Sequence, residues 1–331
     1  MTLDYRPLRN TEYDALAALL NAASIFDGRA QHVVGEELRE EFQSMPVNPT
    51  IDTFTAWQGS QLVGAVYMMY LRSDVREQRC YVFGTVHPDH RGAGIGRRLL
   101  ESGLARGTEL LQSSGNDLPK YLRVDAPRVN TSAIRLFERF GLESVRYFAD
   151  LRADLSVPTP ARRTATPAAP ASATATPGFR IIPWDLARND EARHVKNAAF
   201  MDHWGSTPTP PEWWAAQTSG FGSCVDWSYF AVNDDDQIIG HLITHRTPND
   251  DEVLGAKYAW IDNIGTLAEY RGKGIATQLI TTALAKYRDE GMNFAALGVD
   301  SANPTGAYRL YESLGFRPWR ESVTYQRVIR A

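Results

Sequence analysis

Hydrophobic and polar positions along this chain follow two different periods, and they do so in the same order twice. From Phe54 to Tyr70 apolar side chains alternate with polar ones on either side of Gly59-Ser60. From Tyr229 to Thr244 they alternate on either side of Asn233-Asp234-Asp235-Asp236. Short polar turns between alternating runs predict β-hairpins. Further on, Ile275, Leu279, Ala283 and Tyr287 recur at four-residue steps, with Ile280 and Leu284 beside them. That spacing lines one stripe of an α-helix. Each half opens on a short strand, Leu3 to Leu8 and Gly178 to Pro183, then runs helix, hairpin, strand, glycine-rich turn, helix, strand, helix.

The glycine-rich turns are copies of one another. The first is Arg91-Gly92-Ala93-Gly94-Ile95-Gly96 and the second is Arg271-Gly272-Lys273-Gly274-Ile275-Ala276, followed by Thr277. Behind them come two more matching blocks, Ala133 to Glu138 with Phe140-Gly141-Leu142, and Ala307 to Glu312 with Leu314-Gly315-Phe316. An internal repeat on this scale sets the architecture. Ser156 to Gly178 separates the copies as a run of Pro, Ala, Thr and Ser, with Pro158, Pro160, Pro167, Pro170 and Pro177 spread through it. So little of it is apolar that ordering it would gain little against the entropy cost, and the prolines make it a semi-extended linker. The expected division is a domain over 1–155, a linker over 156–178 and a domain over 179–331.

Bulk properties narrow the function classes. A chain of 331 residues has room for two domains of ordinary size. A net charge of −4 gives no basic footprint for nucleic acid or an anionic membrane. No apolar run is long enough to span a bilayer, and the N-terminus lacks a signal-peptide core, so a cytoplasmic protein is expected. Two cysteines, Cys80 and Cys224, make neither a disulfide framework nor a zinc site. The histidines His194, His203, His241 and His245 have no ligand spacing, so no metal is expected.

A strand that runs through such a turn into a helix aims several backbone N–H groups at one place. The glycines permit the tight turn and close approach of a phosphate, and the helix N-terminus adds a favourable dipole. A dinucleotide fingerprint would need Gly or Ala five residues after the first glycine, where Arg97 and Thr277 stand. A Walker loop would need Gly-Lys-Ser/Thr, which neither copy has. The plain alternative is a tight strand-to-helix turn without a ligand.

Taken together, the paired motifs resemble the GCN5-related N-acetyltransferase (GNAT) family over nearly all of the chain outside the linker. The resemblance implies an α/β fold: two tandem domains, each a mixed, mostly antiparallel sheet flanked by helices. It implies acetyl-CoA as co-substrate, with its pyrophosphate on the amides from Arg271 to Thr277. The pantetheine would lie along Ile264-Gly265-Thr266, where a bulge splays two parallel strands and a backbone N–H polarises the thioester carbonyl. Tyr311 matches the tyrosine that protonates the leaving thiolate, and Asn303 the asparagine that touches the CoA arm. Asp262, nine positions before Arg271, stands where the family often places its base, with Trp260 two positions earlier. Trp204 lies in an aromatic-rich segment that walls the acceptor site in this family. The expected reaction is transfer to the primary amine of a small molecule. A non-catalytic acyl-CoA-binding or scaffolding protein is the rival, and Asp262 with Tyr311 argues against it.

In the first half, counting back from Arg91 puts Val82 in the place of Asp262 and Cys80 in that of Trp260. Phe137 replaces Tyr311, and Val129, with Asn130 next to it, replaces Asn303. The resemblance therefore implies a second, degenerate site on Arg91 to Gly96, with the turn kept and the acid and base lost.

Overall fold

The computed structural model describes residues 2–29, 32–158, 178–301 and 307–330. Asn303 and residues 159–177 of the expected linker lie outside the described residues. The first half contains β1 (Asp4–Arg6), α1 (Tyr13–Phe26), α2 (Gly35–Ser44), β2 (Thr53–Gln58), β3 (Gln61–Leu71), β4 (Gln78–Val86), α3 (Ile95–Gln112), β5 (Lys120–Pro127), α4 (Thr131–Arg139) and β6 (Glu143–Asp154). The second contains β7 (Arg180–Pro183), α5 (Asn189–Ala199), α6 (Pro211–Ser219), β8 (Tyr229–Val232), β9 (Ile238–His245), α7 (Asp250–Leu254), β10 (Tyr258–Thr266), α8 (Ile275–Asp289), β11 (Phe294–Asp300), α9 (Ala307–Ser313) and β12 (Arg317–Ile329). Both predicted hairpins form. Gly59 turns the first with a positive φ of 60°, and the Asn233 side chain holds the second by accepting from the N–H groups of Asp235 and Gln237.

Two compact units result. One is Met1–Phe148 with 252–254 and Arg320–Ala331; the other is Ala149–Asp251 with Gly255–Trp319. The last strand of each half is therefore shared out: β12 from Arg320 onward counts with the first unit, and β6 from Ala149 onward with the second. In the first unit the strand order is β1-β2-β3-β4-β5-β12, antiparallel throughout except for the parallel pair β4–β5. In the second the order is β7-β8-β9-β10-β11-β6, with β10–β11 parallel and the β7-to-β10 pairings antiparallel. Each is a mixed, mostly antiparallel sheet flanked by helices.

The apolar stripe of α8 explains why that helix lies on its sheet. Ile275, Leu279, Ile280, Ala283, Leu284 and Tyr287 are all at most 2% exposed and pack with Ala259, Ile261, Ala295 and Leu297. Tyr258 and Trp260 point to the other face, as the two-residue strand period requires. There Trp319 stacks on Tyr258 at 5.2 Å and lies 6.2 Å from Trp260. On that face α5 and α6 cover Ile243 through Val195 and Trp214. Trp214 is anchored there by donating to the Asn189 carbonyl at 2.8 Å. Among the described residues no helix is long and apolar enough to cross a membrane, and no group of three or more His, Cys, Asp or Glu could hold a metal ion.

Leu279 fills the centre of this contact. Leu279→Ala should lower the stability of the second unit by about 2–5 kcal/mol, read from urea unfolding followed by tryptophan fluorescence. A loss below about 1 kcal/mol would contradict the packing described.

Candidate active site

Strand β10 carries the feature that shapes the site. Its antiparallel register with β9 runs Trp260 to His245 and Ile261 to Thr244, then resumes with Asn263 opposite Ile243. Asp262 is the extra residue of a β-bulge. On the other side of β10, the parallel pairing with β11 ends at Ile261 opposite Leu297, although both strands continue. Bulges bend a strand and re-aim its side chains. Here the side chain of Asp262 is exposed and accepts a hydrogen bond from Gln217 Nε2 of α6 at 2.5 Å.

Past the bulge, Gly265 pairs with His241 of β9. A Cβ on residue 265 would stand 2.8 Å from His241 Cε1 and 2.9 Å from Phe200 Cε2, so only glycine fits. His241 is fully buried, and its Nε2 lies 2.7 Å from Asn263 Oδ1. Burial pushes its pKa down to about 4, with nearby Lys196 acting in the same direction and the Asn263 hydrogen bond opposing them. The imidazole is neutral at neutral pH.

The turn after β10 matches the expectation of an amide cradle. Gly272 and Gly274 have φ of 78° and 86°, and Gly274 caps α8 in the left-handed conformation. The first helical bond is from the Gln278 N–H to the Gly274 carbonyl. From Gly272 through Thr277, no N–H has a hydrogen-bond acceptor among the described residues. Six consecutive open donors at a helix N-terminus suit an anionic group. Arg271 points away from the cradle and donates to the Ala199 carbonyl at 2.8 Å. Beside it, burial and the Arg271 charge lower the pKa of His203, whose ring packs on Phe200 at 4.5 Å.

Tyr311 of α9 is 8% exposed and belongs to the same apolar cluster as Ile261 and Ile275, against which Ile264 also packs. Burial pushes its hydroxyl up to about 12, so it is protonated across the neutral range. Trp260 and Trp204 are both half-buried, the first on the α6-facing side of β10 and the second in the connection between α5 and α6.

The first unit repeats the backbone but not the side chains. Gly92 and Gly94 have φ of 80° and 83°, and the N–H groups from Gly92 to Arg97 are likewise open among the described residues. Arg91 is instead clamped by Asp27 at 2.7 and 3.0 Å, and Asn130 donates to the same carboxylate while capping α4. Phe137 is buried against Tyr325. Strand β4 pairs with β3 in unbroken register from Arg79 to Val86, so it has no bulge. This shifts the correspondence expected from counting. Val82 and Cys80 face α3 in the core, as Ile261 and Ala259 face α8. Asp262 has no counterpart, and Tyr81 rather than Cys80 matches Trp260.

Sequence reasoning passed over Gln217 and Asn263 and gave His241 only a structural role. A histidine in the otherwise apolar run Ile238 to Ile243 was the available signal, since a buried polar residue needs a reason.

Comparison with known proteins agrees with this geometry. Residues 190–316 match the Acetyltransferase (GNAT) family, and residues 49–143 match the Acetyltransferase (GNAT) domain. A mycothiol acetyltransferase of Thermobispora bispora is 31% identical over 252 residues, covering 73% of this chain and 74% of the relative. One from Streptomyces coelicolor is 28% identical over 318 residues, covering 95% and 91%. In fold, a GCN5-related N-acetyltransferase from Sphaerobacter thermophilus superposes with a TM-score of 0.75 at 22% identity, covering 99% of this chain and 96% of that one. A tandem GNAT protein from the clavulanic acid biosynthesis pathway gives 0.69 at 17% identity, covering 100% and 99%. Matches to the acetyltransferase family in both halves, together with the repeated fold, make this a tandem GNAT acyltransferase. The chain belongs to the GCN5-related N-acetyltransferase (GNAT) family and is an N-acetyltransferase, of a family whose co-substrate is acetyl-CoA. The similarity to enzymes along the whole chain does not favour a non-catalytic scaffold.

The buried imidazole sets a pH dependence. The folded protein excludes a proton that the unfolded chain takes up below pH 6.5, so stability present above that pH is lost as the pH falls toward 4. At about 1.4 kcal/mol per pH unit, the His241 contribution to that loss is about 3 kcal/mol. His241→Gln should flatten this part of the stability profile in urea unfolding from pH 7 to pH 4. A variant profile parallel to the parent's would mean that His241 titrates normally.

Proposed function

We propose that the C-terminal half transfers an acetyl group from acetyl-CoA to the primary amine of a small-molecule acceptor, by direct attack in a ternary complex. The N-terminal half is catalytically degenerate in this reading. The observation that carries it is the bulge at Asp262, which presents a carboxylate beside the opened strand pair in one half and is missing from the other.

The pyrophosphate of acetyl-CoA binds the open N–H groups of Gly272 to Thr277, and the pantetheine runs along Ile264, Gly265 and Thr266. The family resemblance assigns Asn303 to the CoA arm. Asp262, directly or through a water, takes the proton that the amine must lose to be nucleophilic. The amine nitrogen then attacks the thioester carbon; the C–N bond forms and the C–S bond breaks. Tyr311, protonated through the working range, delivers a proton to the departing thiolate, and the second proton shed by the acylated nitrogen restores the tyrosine hydroxyl. Holding the two substrates in line supplies much of the acceleration. Trp260 and Trp204 line the acceptor side, where aromatic faces give apolar contact and attract cations. The mycothiol acetyltransferase relatives favour an acceptor resembling a mycothiol precursor.

Two variants test this reading. Gly274→Asp places bulk and negative charge in the cradle, so the calorimetric stoichiometry for acetyl-CoA should fall by one site while circular dichroism stays unchanged. Full retention of binding would remove the cradle from the site. Tyr311→Phe deletes a proton donor and little shape, so turnover should fall by about 100-fold with acetyl-CoA affinity nearly unchanged. An undiminished rate would make Tyr311 a packing residue.

A further inference from the structure

We propose that the side-chain amide of Asn263 donates a hydrogen bond to the oxygen of the acyl thioester, held in that orientation by the buried His241. Asn263 is then a further catalytic residue of the C-terminal half, and His241 is a positioning residue. This rests on the acetyl-transfer reading above.

Place is the first argument. Asn263 is the residue immediately after the bulge, two beyond the last parallel pair of β10 with β11. It is half-buried on the same β10 face as Trp260, on the side where α5 and α6 pack.

Protonation is the second. The His241 ring carries one proton when neutral, and it makes one hydrogen bond, to Asn263 Oδ1 at 2.7 Å. Its Nδ1 is buried with no partner among the described residues. A proton on Nδ1 would be a buried N–H without an acceptor, a costly arrangement, so the proton sits on Nε2 and is donated to the carboxamide oxygen. That leaves the two N–H bonds of the Asn263 amide pointing elsewhere, and they have no acceptor among the described residues.

Charge is the third. A pair of donors does nothing for an amine that must lose a proton, a task suited to the neighbouring Asp262. It does suit an oxygen that gains negative charge as the carbonyl is attacked. A neutral histidine keeps the carboxamide fixed without placing a competing charge near that oxygen.

Comparison of the halves is the fourth. At the place of Asn263 the first unit has Phe83, stacked on Tyr67 at 5.0 Å; opposite Thr85 it has Ala65 where His241 faces Gly265. The large ring on β9 and the glycine on β10 have exchanged sizes, so the pair exists only where the bulge does.

The test uses the full chain with acetyl-CoA carrying a ¹³C-labelled thioester carbonyl, read by isotope-edited infrared difference spectra of variant against parent. Any contribution from the first unit cancels in the difference. Asn263→Ala, and Asn263→Val as a strand-favouring second variant, should move the bound carbonyl band toward that of free acetyl-CoA. They should also lower kcat by about 100-fold, with acetyl-CoA affinity kept. His241→Leu should produce a partial shift, and His241→Gln, which can still donate to the carboxamide, should restore the band. An unmoved band in both Asn263 variants overturns the proposal, as does a loss confined to the acceptor's KM, which would place Asn263 on the acceptor. Failure of the acetyl-transfer reading itself would appear separately, as no acetylated product from the parent protein with any amine acceptor.

Discussion

One extra residue in β10 governs the second unit. Because Asp262 bulges out of register, the strand before it offers Ala259 and Ile261 to α8, and the strand after it offers Asn263 and Gly265 to the α5 side with altered spacing. A bulge costs ladder hydrogen bonds and is kept where it re-aims a side chain. Here it brings a carboxylate to the surface within reach of Gln217, next to the point where β10 and β11 cease to pair. Past it, β10 pairs Gly265 with His241 and runs on into the open-amide turn, and Tyr311 shares an apolar cluster with Ile261.

The two halves show how one backbone plan supports unequal chemistry. Both turn through a pair of positive-φ glycines and leave a row of amides open at a helix N-terminus. In the first, the arginine of the motif is neutralised by Asp27, and Phe83 and Ala65 stand in place of the polar pair. In the second, the arginine ties the end of α5 to the turn, and the interior keeps a neutral histidine bonded to an amide. Burying that imidazole lowers stability in acid.

Much of this was legible in the residues. The glycine spacing required the tight turns, the four-residue apolar steps required α8 to lie on a sheet, and the polar turns required both hairpins. Tyr311 and Asp262 stand out through the resemblance to the family's motifs, at the positions where that family places its acid and base. The comparison of the halves by counting back from the arginines failed at one place, because a bulge adds a residue without leaving a mark in an alternating apolar pattern.

The sequence by itself determined the repeat, the element order and the open-amide turns, since these depend on local spacing and on where glycine can go. Only the tertiary structure decided which residues meet across the sheet: Gln217 with Asp262, His241 with Asn263, and Gly265 beneath an imidazole and a phenyl ring. Those pairings are set by strand register, and register depends on packing between segments distant in the chain. A single-residue shift in it reverses the face that every later side chain occupies.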